Sequence, residues 1–153
     1  MTTARYAHLA ITVPDLEEAE AYYRRLFQME VVTREASTPD GDAQLPPDKG
    51  WVDARRAGIE LYVVALRRAA FVLALFDESS PNVPGGQGTA HRPLIVGLVM
   101  GADDIGRVLR ELKEGESSDG SGEFQDRYGI TWQLSTADRF VGAGELAGRW
   151  LAT

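Results

Sequence analysis

The stretch HLAITVPDLEEAEAYYRRLFQMEVV, residues 8–32, decides the fold. Its opening part alternates between large apolar residues and smaller or polar ones, and a period of two predicts a half-buried strand over 6–13. Apolar surface is buried only if the large residues face the core, which places the other set on the opposite face of the sheet. The core-facing residues are Leu9, Ile11 and Val13, and the residues of the opposite face are His8, Ala10 and Thr12.

The same stretch continues into a helix. Pro14 ends the strand, and Asp15 precedes Glu18 by three residues, which is the spacing of a capping box at a helix start. Apolar residues then recur every three or four positions as far as Phe27. We therefore expect a helix over about 15–28.

Three further strands are expected in the first half of the chain. The residues 31–33 are β-prone, and two longer β-prone runs at 59–66 and 70–76 predict a hairpin with Arg67–Arg68 at its turn. The intervening segment 36–58 is rich in turn-forming residues, so we expect a long exposed loop close to whatever is bound.

The second half repeats this order. A strand is expected at 93–100, then a helix capped by Asp103 or Asp104, and two strands near 123–125 and 130–135. An offset of 89 residues superposes Asp104 on Asp15, together with the apolar faces of the two helices, which indicates an internal repeat. The predicted parts are module 1 over about 5–78, a Pro- and Gly-rich linker over 79–92, module 2 over about 93–136, and a C-terminal helix over about 138–151.

Composition excludes several kinds of chemistry. The chain has 153 residues with two His and no Cys, so a disulfide, a thiolate zinc site and a cysteine nucleophile are excluded. Its net charge of −7 opposes binding to a nucleic acid backbone. There is no signal peptide pattern at the start, and no apolar run approaches the ~20 residues that span a bilayer. We expect a soluble cytoplasmic protein whose partners are neither nucleic acid nor membrane.

The residues 8–32 and the closing stretch FQDRYGITWQLS, residues 124–135, resemble the vicinal oxygen chelate superfamily. This superfamily includes glyoxalase I, extradiol dioxygenases, fosfomycin-resistance enzymes and bleomycin-resistance proteins. The resemblance implies an α+β fold in which two tandem βαβββ modules form a curved mixed sheet around a cleft, with helices on the outer face. It also implies a homodimer.

Metal-dependent members of the superfamily take their ligands from the first and fourth strands of each module. Carried over with the offset of 89, these positions are His8, Ala74, Gly97 and Gln133. Only His8 and Gln133 carry a side-chain donor, whereas a catalytic metal site usually needs three protein ligands. We therefore predict no cofactor, with His8 and Gln133 as the candidate ligands if a divalent metal ion binds.

Strand parity and the resemblance together predict the lining of the cleft. Small residues form its base, apolar residues its walls, and no carboxylate points into it, which suits a largely apolar or aromatic molecule. Trp51 and Tyr62 are each either packing anchors or ligand contacts, and both alternatives stay open. The predicted ligand-binding residues are His8, Thr12, Trp51, Tyr62, Phe76, Thr131 and Gln133.

Two functions follow from this lining. The first is a metal-free protein that sequesters a small organic molecule, an antibiotic being one example. The alternative is a lyase, isomerase or dioxygenase of the same superfamily that uses a displaced metal site, or His8 as a general base. Whether the protein is an enzyme is left undecided by the sequence, because fold does not fix function.

Overall fold

A computed structural model gives the structure of the chain and describes residues 8–80, 94–112 and 122–136. These residues contain eight strands and three helices in an α+β arrangement. The chain divides into two compact units, Met1–Ala90 and His91–Thr153, each with its own sheet. Within the described ranges, no helix is long and apolar enough to cross a membrane.

The first unit contains a five-stranded sheet with the strand order β1-β5-β4-β2-β3. β1 is parallel to β5, and the other neighbours are antiparallel. A parallel first and last strand requires a crossover, which the first helix supplies. The elements are β1 (Leu9–Val13), α1 (Leu16–Phe27), β2 (Glu30–Thr38), β3 (Gly41–Gln44), α2 (Trp51–Arg56), β4 (Leu61–Arg68) and β5 (Phe71–Asp77).

Helix α1 forms as its sequence predicts. The Asp15 carboxylate accepts a hydrogen bond from the backbone N–H of Glu18 at 3.0 Å, and Gln28 ends the helix in the left-handed region with φ 50°. The apolar face packs on β4 and β5, and each large side chain that it buries contributes about 1.5–3 kcal/mol. The buried apolar residues of the helix are Leu16, Ala19, Tyr22, Tyr23, Leu26 and Phe27.

The prediction of a long loop over 36–58 is wrong for most of these residues. β2 extends to Thr38 and returns as β3 through a turn in which Gly41 has φ 117°, a conformation that favours glycine. α2 then begins at Trp51, and the carboxylate of Asp53 accepts a hydrogen bond from the backbone N–H of Gly50 at 2.9 Å. The turn-forming residues therefore mark two turns around ordered elements.

The predicted position of the β4–β5 turn is also wrong. Arg67 and Arg68 pair with β5 as part of the ladder, and the turn lies at Ala69–Ala70, where Ala69 has φ 51°. A guanidinium nitrogen of Arg68 also donates to the carbonyl oxygen of Phe27 at 3.1 Å. This contact with the end of α1 holds Arg68 in the sheet.

The second unit shows a smaller version of the same plan. Its strand order is β6-β8-β7, with β6 parallel to β8 and β7 antiparallel to it. The core of the described part contains Val108 and Trp132, both fully buried. The elements are β6 (Ile95–Val99), α3 (Ala102–Glu111), β7 (Glu123–Gln125) and β8 (Thr131–Ser135).

The start of α3 differs from the prediction. Gly101 is the N-cap residue, so neither Asp103 nor Asp104 caps the helix, and Asp104 lies in the first turn with a carboxylate oxygen 3.5 Å from a guanidinium nitrogen of Arg107. The two helix caps are therefore 86 residues apart, from Asp15 to Gly101, so Asp104 does not occupy the capping position that Asp15 has in the first helix. The C-terminal helix expected over 138–151 and most of the expected linker lie outside the described residues.

Candidate functional site

The face of the first sheet opposite α1 carries a row of small residues. In the register of β1, β5 and β4, Ala10 lies opposite Ala74, and Ala74 lies opposite Ala65. Directly opposed residues share a face, so the three methyl groups lie side by side across three adjacent strands. We call these three residues the alanine floor. Thr33 on β2 continues the row, and its buried hydroxyl has no hydrogen-bond partner in the described part of the chain.

The next row along the strands is larger and partly polar. Thr12 lies opposite Phe76, Phe76 opposite Val63, and Val63 opposite Glu35. Thr12 and Phe76 thus share the face predicted for them. Glu35 shares it too, so the expectation that no carboxylate lies on this face is wrong. The sequence analysis missed Glu35 because β2 was expected to end at Thr33.

The face of the second sheet opposite α3 also carries a carboxylate. Gln133 lies opposite Gly97 on one side and Glu123 on the other, and its side-chain amide donates to the Glu123 carboxylate at 3.0 Å. Two apolar residues of β6 share this face and are well exposed, Ile95 at 63% and Val99 at 52%. Thr131 lies in the same strand as Gln133 with the same parity.

The residues at the superfamily's ligand positions supply few side-chain groups that could bind a metal ion. Gly97 faces Gln133 across its strand pair, but Ala74 faces Ala10, and His8 lies two residues before Ala10, or about 7 Å along a strand. Among the four expected positions, Ala74 and Gly97 have no donor atoms. The described residues contain no group of three or more His, Cys, Asp or Glu that would hold a metal ion. The donor set falls short of the three ligands that a catalytic metal needs.

A buried carboxylate lies on the opposite side of the first sheet, within α1. Glu20 is 3% exposed, and its oxygens accept hydrogen bonds from the Arg34 guanidinium at 2.6 and 2.8 Å and from the Trp51 indole N–H at 2.8 Å. The hydrogen bond and the charge of Glu20 raise the pKa of Arg34 against the opposing effect of burial. Glu20 therefore ties α1, β2 and α2 together and fixes the indole ring of Trp51.

A cavity of about 650 Å³ lies beside this indole, at the end of the first sheet where β1 and β5 finish and β4 begins. Its walls combine aromatic, apolar and acidic side chains with serine hydroxyls. The lining residues are Pro14, Asp15, Leu16, Glu17, Ser37, Trp51, Ala54, Arg55, Ile59, Glu60, Leu61, Tyr62, Asp77, Ser79 and Ser80.

Tyr62 stands between the cavity and the sheet face. Its ring lines the cavity and lies 6.4 Å from the ring of Phe76. Burial raises the pKa of Tyr62 to about 12, assisted by a hydrogen bond to Asp42 and by the negative charges of Asp42 and Glu35. The phenol therefore stays protonated at any ordinary pH.

The predicted site residues thus fall in several places. His8 is exposed at the start of β1, Thr12 and Phe76 share a row of the first sheet, and Trp51 and Tyr62 line the cavity. Thr131 and Gln133 belong to the second sheet. Sequence reasoning missed Glu20. The signal that could have found it is a carboxylate at a core position of a helix, because such a group needs a partner when it is buried.

Comparison with known proteins agrees with this topology. The family profile described as Glyoxalase/Bleomycin resistance protein/Dioxygenase superfamily matches residues 5–134. The chain belongs to this superfamily. The resemblance noted in the sequence is therefore confirmed, and so is the α+β fold class. None of the curated proteins compared with this chain matches it.

Solved structures share the fold at low identity. TioX from Micromonospora sp. ML1 is 13% identical with a TM-score of 0.53, covering 86% of this chain and 98% of that one. Lactoylglutathione lyase from Agrobacterium tumefaciens is 16% identical with a TM-score of 0.51, covering 90% and 97%. The fosfomycin resistance protein FosX from Listeria monocytogenes, in a complex with Mn(II) and sulfate, is 10% identical with a TM-score of 0.57, covering 92% and 99%. At these identities, the superfamily member is similar to them in fold alone.

Proposed function

We propose that this superfamily member binds a small, largely apolar or aromatic organic molecule on the face of its first sheet opposite α1, without a metal ion. It acts as a binding protein of the bleomycin-resistance type and not as a lyase or dioxygenase. The observation that carries the proposal is the alanine floor, Ala10, Ala74 and Ala65 in register on three adjacent strands. A homodimer in the cytoplasm is part of the same proposal.

The floor supplies the shape that a planar ligand needs. Adjacent strands are about 4.8 Å apart, so the three methyl groups form a row about 10 Å long. Ala10 is exposed, and Ala74 at the centre of the row is 6% exposed. The neighbouring row is taller because it contains Phe76 and Val63. A ring lying on the methyl groups with one edge against Phe76 buries apolar area on two sides, and each Å² removed from water contributes about 25 cal/mol.

Polar groups in the taller row give such a ligand an orientation. The Glu35 carboxylate lies at one end of the row and the Thr12 hydroxyl at the other. A ligand N–H or O–H directed at Glu35 gains a charge-assisted hydrogen bond, which is stronger than a neutral one. This contact selects among apolar molecules by the position of one donor.

The metal-free part of the proposal rests on the donor set. Two of the four superfamily positions are Ala74 and Gly97, which bind nothing through their side chains. The remaining pair, His8 and Gln133, would leave a metal ion with fewer protein ligands than it needs for a fixed geometry. The proposed function therefore includes no catalysis by a metal ion.

Alanine methyl NMR tests the ligand site directly. Protein with ¹³C-labelled alanine methyls is titrated with indole and with 1-naphthol, and we expect shifts at Ala10, Ala65 and Ala74. The variant Ala10→Leu fills the floor and should raise the Kd of either probe at least tenfold. Ala21→Leu serves as the control, because Ala21 is also exposed and lies on α1, which packs on the opposite face of the sheet. Floor methyls that stay unshifted at millimolar probe, or equal affinity in both variants, would overturn the site.

Metal analysis of the purified protein tests the metal-free part of the proposal. We expect the purified protein to carry well below one equivalent of zinc, iron, manganese and nickel, and a chelator to leave its Tm unchanged. One equivalent of tightly held metal, lost on chelation together with several degrees of Tm, would instead support the metal-dependent enzyme.

A further inference from the structure

The cavity at the end of the first sheet is separate from the alanine floor, because no floor residue lines it. Its volume of about 650 Å³ falls within the range of small-molecule sites. It is bounded by the start of α1, by α2, and by the facing ends of β4 and β5. The superfamily's ligand positions are not among its lining residues, so the proposed function does not account for it.

The charge of the cavity lining is strongly negative. Four carboxylates line it, against the single guanidinium of Arg55, which pairs with the Glu17 carboxylate. The Asp15 carboxylate is engaged at the start of α1. Two acidic side chains, Glu60 and Asp77, therefore have no lysine or arginine paired with them among the described residues.

The geometry at Asp77 leaves room for a ligand contact. Its Oδ1 atom accepts both the backbone N–H of Ser79 at 2.8 Å and the Ser79 hydroxyl at 2.7 Å. These bonds hold the carboxyl group in one orientation at the cavity wall, and both of them use a single oxygen. A donor on a bound molecule can use the other oxygen without disturbing the turn.

Two aromatic side chains, Trp51 and Tyr62, also line the cavity. The indole of Trp51 is fixed by its N–H bond to the buried Glu20, and the ring of Tyr62 lies 6.4 Å from the ring of Phe76. Rings that are held in place lose little conformational entropy when a ligand packs on them. Aromatic faces also attract cations, with about 0.5–2 kcal/mol per contact.

We propose that this cavity binds an organic monocation with an aromatic or apolar body, of the arylalkylamine class. The ammonium group lies toward Asp77 and Glu60, and the body packs against Trp51, Ile59 and Leu61. The site is additional to the alanine floor and selects its ligand by charge, whereas the floor selects by shape.

An anion at the start of α1 is the competing occupant. The helix dipole places about +0.5 of a charge there, and Arg55 and the serine hydroxyls are donors. The four carboxylates outweigh this, since one guanidinium against four acids leaves a net charge of −3. An anion would also have to displace Glu17 from Arg55. The balance of charge therefore favours a cation.

Three matched probes decide between these occupants: 2-phenylethylamine, neutral 2-phenylethanol and anionic 3-phenylpropionate. Binding is followed by the indole Nε1–H signals in ¹⁵N NMR, with the Trp51 signal assigned from the variant Trp51→Phe. We expect the amine alone to shift the Trp51 signal. The floor methyls, followed in the same samples, report binding at the alanine floor, so the two proposed sites are read separately. Equal shifts from the alcohol, a larger shift from the carboxylate, or no shift from millimolar amine would overturn the proposal.

Charge variants then test the two carboxylates. Asp77→Asn removes the negative charge and keeps a carbonyl oxygen that can accept the Ser79 bonds. Glu60→Gln removes the negative charge of Glu60, which is exposed. We expect each to raise the Kd of 2-phenylethylamine about tenfold, as expected for one charge-assisted contact. Asp103→Asn changes the net charge equally but is exposed on α3 in the second unit, so its Kd should match the unmodified protein. A Kd in Asp77→Asn and Glu60→Gln equal to that of Asp103→Asn would show that the site is not selective for charge.

Discussion

Among the described residues, each unit buries one carboxylate against one indole, but the two carboxylates bind partners at very different sequence distances. Glu20 in the first unit binds Arg24 one turn along α1 at 3.4 Å, and it also binds Arg34 and Trp51, which are 14 and 31 residues away. Asp126 in the second unit accepts from the backbone N–H groups of Tyr128 and Ile130 and from the Trp132 indole at 2.7 Å, all within six residues.

The difference lies in what each carboxylate holds together. Glu20 joins α1 to β2 and to α2, and it does so with a full charge pair. Asp126 organises one turn between β7 and β8, and its partners are neutral N–H groups. Loss of the first should therefore loosen the assembly of the unit, whereas loss of the second should loosen one hairpin.

The largest expected effect is that of Glu20→Ala. The substitution leaves the Arg34 guanidinium, whose side chain is only 15% exposed, without its partner, and removing one member of a buried ion pair costs about 3–5 kcal/mol. The free energy of unfolding from urea denaturation, followed by circular dichroism, measures the loss. Glu17→Ala, on the same helix, is the control, because its exposed pair with Arg55 contributes about 0–1 kcal/mol. A loss in Glu20→Ala no greater than in Glu17→Ala would mean that Glu20 does not hold the three elements together.

A smaller and more local effect is expected from Asp126→Ala. Three N–H donors lose their acceptor, and an unsatisfied buried donor costs about 1–3 kcal/mol. Hydrogen exchange should accelerate first at the backbone amides of Tyr128 and Ile130, while amides of the first unit keep their protection. Asp126→Asn retains one oxygen acceptor and should lose less. If amides of both units exchanged faster to the same degree, the local role of Asp126 would be disproved.

This contrast also explains what the sequence could predict. The α1 cap at Asp15, the helix that follows it and the strands near 123–125 and 130–135 depend on residues a few positions apart, and all of them agree with the structure. The start of α3 was missed because two adjacent aspartates looked like better caps than Gly101. The sequence predicted correctly those features for which neighbouring residues favour a single local structure.

The features that the sequence did not predict depend on distant partners. Helix α2 has only six residues, too few to be stable by propensity alone, and it is ordered by the Trp51 bond to Glu20. The cavity forms from segments that are up to 66 residues apart in sequence, as from Pro14 to Ser80. The sheet face with Thr12 and Phe76 could therefore be predicted from the sequence, but the acidic cavity at the end of the same sheet could not.

The smallest expected effect concerns Tyr62, a third long-range polar contact of the first unit. Its pKa in the folded protein is about 12, above the value of about 10 in an unfolded chain, so the folded state binds more protons between these pH values. Stability from this group is complete below pH 10 and is lost as the pH rises toward 12. Absorbance titration at 295 nm should show Tyr62 ionising near pH 12, and the step near this pH should be smaller by one phenol in Tyr62→Phe. The variant should also flatten the fall of Tm above pH 10, since Phe has no proton to lose, and an unchanged alkaline fall of Tm would show that Tyr62 does not contribute to it.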